Sequence, residues 1–140
     1  MRDPRERNRQ VIEDFRAKGG KAGGQWADRP LLLLTTTGRK SGKPYTTPVM
    51  YLRDGERFAV FATHGGSPTH PDWYHNLVAD PTVTVEVGSE TFDARASTAP
   101  SAERDQLYAR QAKLYPQFAE YEQRTTRKIP VVILERVGIG

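Results

Sequence analysis

The sequence predicts a mainly β protein, an antiparallel barrel or sandwich of six short strands with two helical segments inserted. Short β-rich runs bounded by turn residues recur from residue 30 onward, and hairpin-length connections join several of them. The 140 residues suffice for one core that buries roughly two-thirds of the unfolded surface, and the chain has no cysteine for disulfide support. We predict a domain of residues 30–140, preceded by an arm and linker of residues 1–29.

The arm contains a short amphipathic helix followed by a glycine-rich linker. Val11, Ile12 and Phe15 have helical spacing among charges of both signs, and glycines follow at positions 19, 20, 23 and 24. The helix could dock on the domain, touch a membrane surface through Phe15 and its arginines, or stay loose. Because three apolar side chains bury little surface, we predict a weakly ordered arm.

Three strands are predicted in the first half of the domain. Residues 31–37 form an apolar run that ends in threonines, which is typical of a buried strand. Residues 45–53 form a second strand, and Asp54 and Gly55 make a tight hairpin turn into a third strand over residues 57–63.

Three further strands follow in the second half. Apolar and polar residues alternate over residues 82–87, which predicts a half-exposed strand. Gly88 and Ser89 then turn the chain into a strand over residues 91–97, and a last strand covers residues 130–137.

The first helical segment contains Pro71, which suits the first turn of a helix. Trp73 and Leu77 lie four residues apart and therefore share one helical face. Asp80 and Pro81 end the segment.

The second helical segment begins near Ser101 and has Glu103 and Asp105 in its first turn, where the helix dipole favours acids. Its predicted apolar face comprises Leu107, Leu114, Phe118 and Tyr121. Pro116 is expected to kink or split this helix because proline removes a backbone hydrogen bond.

Cations are concentrated in the turn between the first two strands. This turn comprises Gly38, Arg39, Lys40, Ser41, Gly42, Lys43 and Pro44. Arg39 can hold a phosphate or carboxylate with two parallel hydrogen bonds, and no acid lies between residues 31 and 53. Three residues separate the glycines instead of the four of a P-loop, which argues against a Walker-type NTPase. Composition alone does not decide between an anion-binding loop and an ordinary charged hairpin turn.

The net charge of +4 and the pI of about 9.5 favour anionic ligands without choosing among them. We predict no nucleic-acid binding, because the sequence lacks an aromatic and basic platform and a recognition helix. His64, His70 and His75 lack the spacing of a zinc site, so no metal is predicted. No apolar run approaches the ~20 residues of a membrane span and no secretory signal is seen, so we expect a cytoplasmic location.

Several short motifs occur in a characteristic order between residues 30 and 137. They are Gly38-Arg39-Lys40-Ser41-Gly42, Pro48, Gly65-Gly66, Pro71-x-Trp73-x-x-Asn76-Leu77, Asp80-Pro81, Tyr115-Pro116, Tyr121 and Arg127-x-Ile129-Pro130-Val131. Each motif is weak alone, but their shared order and spacing resemble the actinobacterial deazaflavin-dependent nitroreductase family, which uses coenzyme F420.

This resemblance implies an antiparallel split β-barrel of six to seven strands with short flanking helices, similar to FMN-binding split barrels. It implies coenzyme F420, an 8-hydroxy-5-deazaflavin with a phosphate and a glutamate tail, as the cofactor. The anionic tail would be held by Arg39, Lys40, Ser41 and Lys43. The remaining cofactor contacts would come from Tyr45, Pro48, Ala62, Thr63, His64, Asp72, Trp73 and Asn76.

The resemblance further implies hydride transfer from reduced F420 to a hydrophobic acceptor such as a quinone or a nitroaromatic. Tyr115 and Tyr121 are candidates to donate or orient the accompanying proton, although both could instead be packing aromatics. A deazaflavin carrier without turnover and an FMN-dependent oxidoreductase are alternatives. Because related barrels often pair, a homodimer is also expected, and the arm could reach the inner face of the cell membrane.

Overall fold

A computed structural model describes residues 4–20 and 29–137, with side chains from residue 8 onward. Within these residues the strands are β1 (Leu31–Thr37), β2 (Pro44–Asp54), β3 (Arg57–Phe61), β4 (Thr82–Val87), β5 (Glu90–Thr98) and β6 (Val131–Arg136). The α-helices are α1 (Pro4–Ala17), α2 (Asp72–Ala79), α3 (Ser101–Leu114) and α4 (Gln117–Gln123), and a 3-10 turn covers His64–Gly66. Most of the predicted glycine linker lies outside the described residues.

The six strands close into an antiparallel barrel in the order β1-β2-β3-β6-β5-β4. The barrel closes where β1 pairs with β4, the first and last strands of this order. Leu33 on β1 lies opposite Pro48 on β2 and opposite Glu86 on β4. On the far side β3 pairs with β6, with Val60 opposite Val132. The predicted antiparallel barrel is therefore confirmed.

β1 is buried on both faces, as its unbroken apolar run predicts. Leu32 and Leu34 belong to the cluster formed with side chains of β3, β4, β5 and β6. Leu31 and Leu33 belong to a second cluster that includes side chains of α1, α3 and α4. The alternation of side chains along β1 thus connects the two halves of the core.

The two predicted hairpin turns are confirmed. Gly55 (φ +62°) and Gly88 (φ +58°) adopt the left-handed backbone that such tight turns require. β2, β5 and β6 end within one residue of their predicted limits. β3 is shorter than predicted, ending at Phe61, because the chain turns into the 3-10 turn that begins at His64.

α2 confirms its predicted face, since Trp73 and Leu77 are both buried. Pro71 lies immediately before the first helical residue and not within the first turn. Pro116 splits the second segment into α3 and α4, as expected. The predicted apolar face is wrong at Leu114, which is 62% exposed. It ends α3, and Tyr115 beyond it packs against the core in its place.

α1 packs against the barrel. Its Phe15 is only 1% exposed and lies in the core cluster, with Val11 and Ile12 partly buried against the same cluster. Arg16 donates to both carboxylate oxygens of Glu86 on β4, at 2.9 and 2.8 Å. The prediction of a weakly ordered arm is therefore wrong for this helix, and Phe15 is not available for membrane contact. No helix in the described residues has the length and apolar character to cross a membrane.

Candidate active site

Two adjoining clefts lie between the β1–β2 turn, the start of α2 and the first turns of α1. The first has a volume of about 730 Å³ and the second about 360 Å³. The residues that line both clefts are Asn8, Thr47, Asp72 and Trp73. Because these side chains are shared, the two clefts form one continuous groove with Trp73 as their common wall.

The first cleft is cationic. Arg39 and Lys40 of the β1–β2 turn line it together with Arg9 of α1. Asp72 is the acidic residue in its lining. The Nη2 atom of Arg39 lies 3.8 Å from a carboxylate oxygen of Asp72, but that carboxylate is 90% exposed. An exposed pair of this kind is weak, so the turn keeps a net positive potential toward the cleft.

The backbone of the turn is closed by its own hydrogen bonds. The Gly38 N–H donates to the Lys43 carbonyl and the Gly42 N–H donates to the Gly38 carbonyl, both at 2.8 Å. The Ser41 hydroxyl lies 3.0 Å from the Tyr45 hydroxyl and accepts from the Lys43 N–H at 3.2 Å. Ser41 and Tyr45 therefore brace the turn as well as lining the cleft.

Asn76 fixes the position of Arg39. The Asn76 Oδ1 atom accepts from the Arg39 backbone N–H and from its Nη1 atom, both at 3.1 Å. The Asn76 Nδ2 atom donates to the hydroxyl of Thr36 at 3.3 Å, and both Asn76 and Thr36 are buried. Asn76 thus positions Arg39 through its carbonyl oxygen and also lines the first cleft, so its contact with the cofactor stays a prediction.

The second cleft has an apolar wall and several polar groups. Its apolar wall comprises Pro48, Val49, Met50, Phe61, Trp73 and Phe118. Its polar groups include the side chains of Thr63, His64 and Tyr121. The Tyr121 ring meets Phe118 edge to face at 5.4 Å, and the Arg124 guanidinium lies 5.8 Å from the Tyr121 ring centroid.

Thr63, His64 and Gly65 of the second cleft belong to the loop between β3 and Pro71. We define this segment, residues 62–70, as the 62–70 loop. Arg127 holds this loop through three backbone carbonyls. Its Nε atom donates to Ser67 at 2.8 Å, and its Nη2 atom donates to Ala62 at 3.1 Å and to Thr63 at 2.7 Å. The sequence has no local signal for this role, because the acceptors are 60 or more residues away along the chain.

Most of the predicted site residues meet in this groove. Those that line it are Arg39, Lys40, Ser41, Tyr45, Pro48, Thr63, His64, Asp72, Trp73, Asn76 and Tyr121. Three others do not line either cleft. Lys43 is exposed on the turn, Ala62 is buried in the barrel cluster, and the Tyr115 ring packs against the core, 6.0 Å from the Arg29 guanidinium. Tyr115 lies at the end of α3, just before Pro116, and stays outside the groove. Tyr121 lies on α4 and lines the second cleft.

Sequence reasoning missed the contribution of α1 to the groove. Asn8, Arg9 and Ile12 all line the first cleft. Asn8 and Arg9 lie four and three residues before Ile12, a spacing that could have indicated a common helical face.

Comparison with known proteins agrees with this architecture. A model of the F420H(2)-dependent quinone reductase family matches residues 7–136. An F420H(2)-dependent quinone reductase of Mycobacterium tuberculosis strain H37Rv is 42% identical over 112 residues, which cover 76% of this chain and 74% of the relative.

Two solved structures are also similar. One is an F420-H2 dependent reductase, FDR-A, with a TM-score of 0.70 and 41% identity over 81% of this chain and 100% of that one. The other is described as a domain-swapped dimer, with a TM-score of 0.72 and 38% identity over 95% of this chain and 100% of that one. With a family model spanning nearly the whole chain and mycobacterial relatives at this identity, the chain belongs to the F420H(2)-dependent quinone reductase family.

Proposed function

We propose that this protein transfers a hydride from reduced coenzyme F420 to a quinone-type acceptor. The observation that carries the proposal is the groove itself, which begins at a cationic turn and ends at a cleft with an apolar wall, with Trp73 shared between the two clefts. A cofactor with an anionic tail and an aromatic ring needs these two environments side by side.

The residues present suit this cofactor. The first cleft, at about 730 Å³, falls within the roughly 300–1,000 Å³ typical of small-molecule sites. Arg39, Lys40 and Arg9 would hold the phosphate and carboxylates, and the apolar face of Trp73 would lie against the ring. When bound, the reduced deazaflavin supplies a hydride from carbon.

The protein's own chemical task is then to orient an acceptor and deliver a proton. A quinone that gains a hydride needs one proton to become a hydroquinone. Tyr121 and His64 line the second cleft, where the apolar wall would exclude water from the acceptor. His64 Nδ1 lies 3.1 Å from the Thr69 carbonyl and must donate to it, so this ring nitrogen is already used within the loop.

The binding part of this proposal can be tested with a Trp26→Phe variant, in which Trp73 is the remaining tryptophan. We expect oxidised F420 to quench Trp73 fluorescence, and we expect Lys40→Ala to weaken the binding about tenfold, or about 1.4 kcal/mol. FMN titrated in parallel tests the alternative flavin cofactor. Absence of quenching together with an unchanged affinity in Lys40→Ala would count against the site.

The catalytic part is tested by anaerobic bleaching of reduced F420 with menadione. Oxidation that depends on the acceptor supports an enzyme, whereas tight binding without such oxidation would favour a carrier. A nitroaromatic acceptor run in parallel measures how far the second cleft discriminates between acceptor classes.

Replacing Tyr121 with phenylalanine removes only the hydroxyl group. We expect kcat with menadione to fall about 100-fold if Tyr121 donates the proton, while the Kd for oxidised F420 stays within a factor of about two. Tyr115→Phe is the matched control, because Tyr115 lies outside both clefts. Unchanged turnover in Tyr121→Phe would leave this tyrosine with a packing role against Phe118.

We also propose that the protein pairs in solution. The support is the 38% identical neighbour described as a domain-swapped dimer, together with the attachment of α1 through the glycine-containing segment after residue 20. Exchange of α1 between two copies would preserve the burial of Phe15 and the Arg16–Glu86 pair. Light scattering of the full chain measures this directly.

A further inference from the structure

The 62–70 loop holds one residue, His64, in a backbone conformation that its side chain does not favour. His64 has a φ of +47°, and the two glycines that follow it have φ values of +63° and +81°. A histidine in the left-handed region is strained, so this backbone persists only where surrounding groups impose it. Thr63 and His64 of this loop line the second cleft, so its shape is part of the site.

Arg127 holds this shape from outside the loop, in addition to the contact between His64 and Thr69 within it. Its planar guanidinium places three donors on the carbonyls of Ala62, Thr63 and Ser67. Arginine suits this task because its donors have a fixed geometry, whereas a lysine would supply one ammonium that cannot span the three acceptors. The side chain of Arg127 is half-buried, which strengthens these charge-assisted bonds.

The fourth contact of Arg127 fixes the protonation state of a histidine. Its Nη1 atom lies 2.8 Å from the Nδ1 atom of His70. A guanidinium can only donate, so His70 Nδ1 must accept through its lone pair, and His70 must be neutral with its proton on Nε2. The other rings that face His70 are those of Tyr74 and His75 on α2, at 5.0 and 5.7 Å.

We propose that Arg127 is a positioning residue for the second cleft and that His70 makes its hold on the 62–70 loop dependent on pH. Protonation of His70 would place an N–H opposite the donating Nη1 and a second positive charge beside the guanidinium. The Nη1 contact would then be lost, and the strained backbone at His64 would relax. This inference rests on the proposed function, since it assumes that the second cleft receives the reacting groups.

The direction of the pH effect follows from the environment of His70. Burial, then the charge of Arg127, then His75 lower the pKa of His70 below its usual value of about 6.5. The unfolded chain therefore binds a proton at a higher pH than the folded chain does. The stability supplied by neutral His70 is complete above about pH 6.5 and is lost as the pH falls from there through the lower folded pKa.

The test follows hydrogen–deuterium exchange of the 62–70 loop in the full chain without cofactor, corrected for intrinsic rates, at pH 7.5 and 5.5. In the wild type we expect protection of the loop to fall about tenfold on acidification. His70→Gln should remove most of this change, because its amide oxygen accepts from Arg127 without titrating. His75→Gln is the comparison variant: it removes only the smallest of the three influences on the pKa of His70, so it should keep most of the pH dependence that His70→Gln removes. Equal pH dependence in the wild type and His70→Gln would overturn the role of His70.

Arg127→Lys tests the positioning role separately from the charge. We expect lower loop protection at both pH values and a larger fall in kcat than in affinity for oxidised F420, with little recovery from the retained charge. Loop protection and kcat equal to those of the wild type would overturn the positioning role.

Binding of oxidised F420 links this inference to the proposed function. We expect its Kd to rise more between pH 7.5 and 5.5 in the wild type than in His70→Gln. Titration of the cofactor itself affects both proteins equally and therefore cancels in this comparison. An equal rise in both proteins would overturn the coupling of the loop to the site. If the loop responds to pH as expected but F420 does not bind at either pH, the contact between Arg127 and His70 stands and the proposed function fails.

Discussion

Replacing Arg39 with alanine is expected to weaken the binding of oxidised F420 by about 100-fold, equivalent to about 2.7 kcal/mol. The guanidinium lies at the first cleft and is held there by the buried Asn76. A pre-positioned fork loses little conformational entropy when it grips a phosphate or carboxylate, so its removal costs more than that of a mobile lysine. Isothermal titration calorimetry at low salt measures the effect directly.

Two variants separate the contributions to this effect. Arg39→Lys keeps the charge and loses the fork, so an intermediate affinity is expected. Lys43→Ala removes a cation from the same turn at a position that lines neither cleft, so it should change the Kd by less than about twofold. Equal losses in Arg39→Ala and Lys43→Ala would mean that the turn acts only through its overall charge.

Replacing Phe15 with alanine is expected to lower the free energy of unfolding by about 3 kcal/mol, because it leaves a cavity where a fully buried ring packs in the core cluster. For a domain of this size the melting temperature should fall by about 10 °C. Affinity for F420 should fall as well, since Phe15 anchors the helix that brings Arg9 and Ile12 to the first cleft.

The control for this prediction is Arg16→Ala, which removes the ion pair with Glu86 and leaves Phe15 in place. Because more than half of the Arg16 side chain is exposed, we expect a loss of less than about 1 kcal/mol. Chemical denaturation of both variants measures the difference. If Phe15→Ala were as stable as Arg16→Ala, the helix would not be docked on the barrel in solution.

The strands could be predicted from the sequence because their signals are local. Alternation over residues 82–87 and the glycines at positions 55 and 88 locate strands and hairpin turns without knowledge of any distant residue. Closure of the barrel, by contrast, depends on β1 pairing with β4, which no turn specifies. The ordered motifs of the family supplied that part of the prediction.

Two features that the sequence did not reveal, the burial of Phe15 and the contact of Asn76 with Arg39, depend on groups far away in the chain. Phe15 is buried because its core cluster includes Leu31, Leu107 and Ile133, which three different elements contribute. Asn76 serves Arg39 because α2 packs against the end of β1, 37 residues earlier. The sequence shows both residue types, but their partners in the fold are distant along the chain and no local pattern identifies them.

The closed barrel has a consequence for how copies of this protein can associate. Each strand in the described residues has a hydrogen-bonded neighbour on both sides, but only along part of its length. Residues 44–50 of β2 pair with β1 alone, because β3 pairs only with residues 51–54. Most of this unpaired edge lies in the groove, and Pro44 and Pro48 within it have no N–H to donate. Strand addition at this edge would meet two prolines and the residues of the groove, which favours association through side-chain surfaces or exchanged helices.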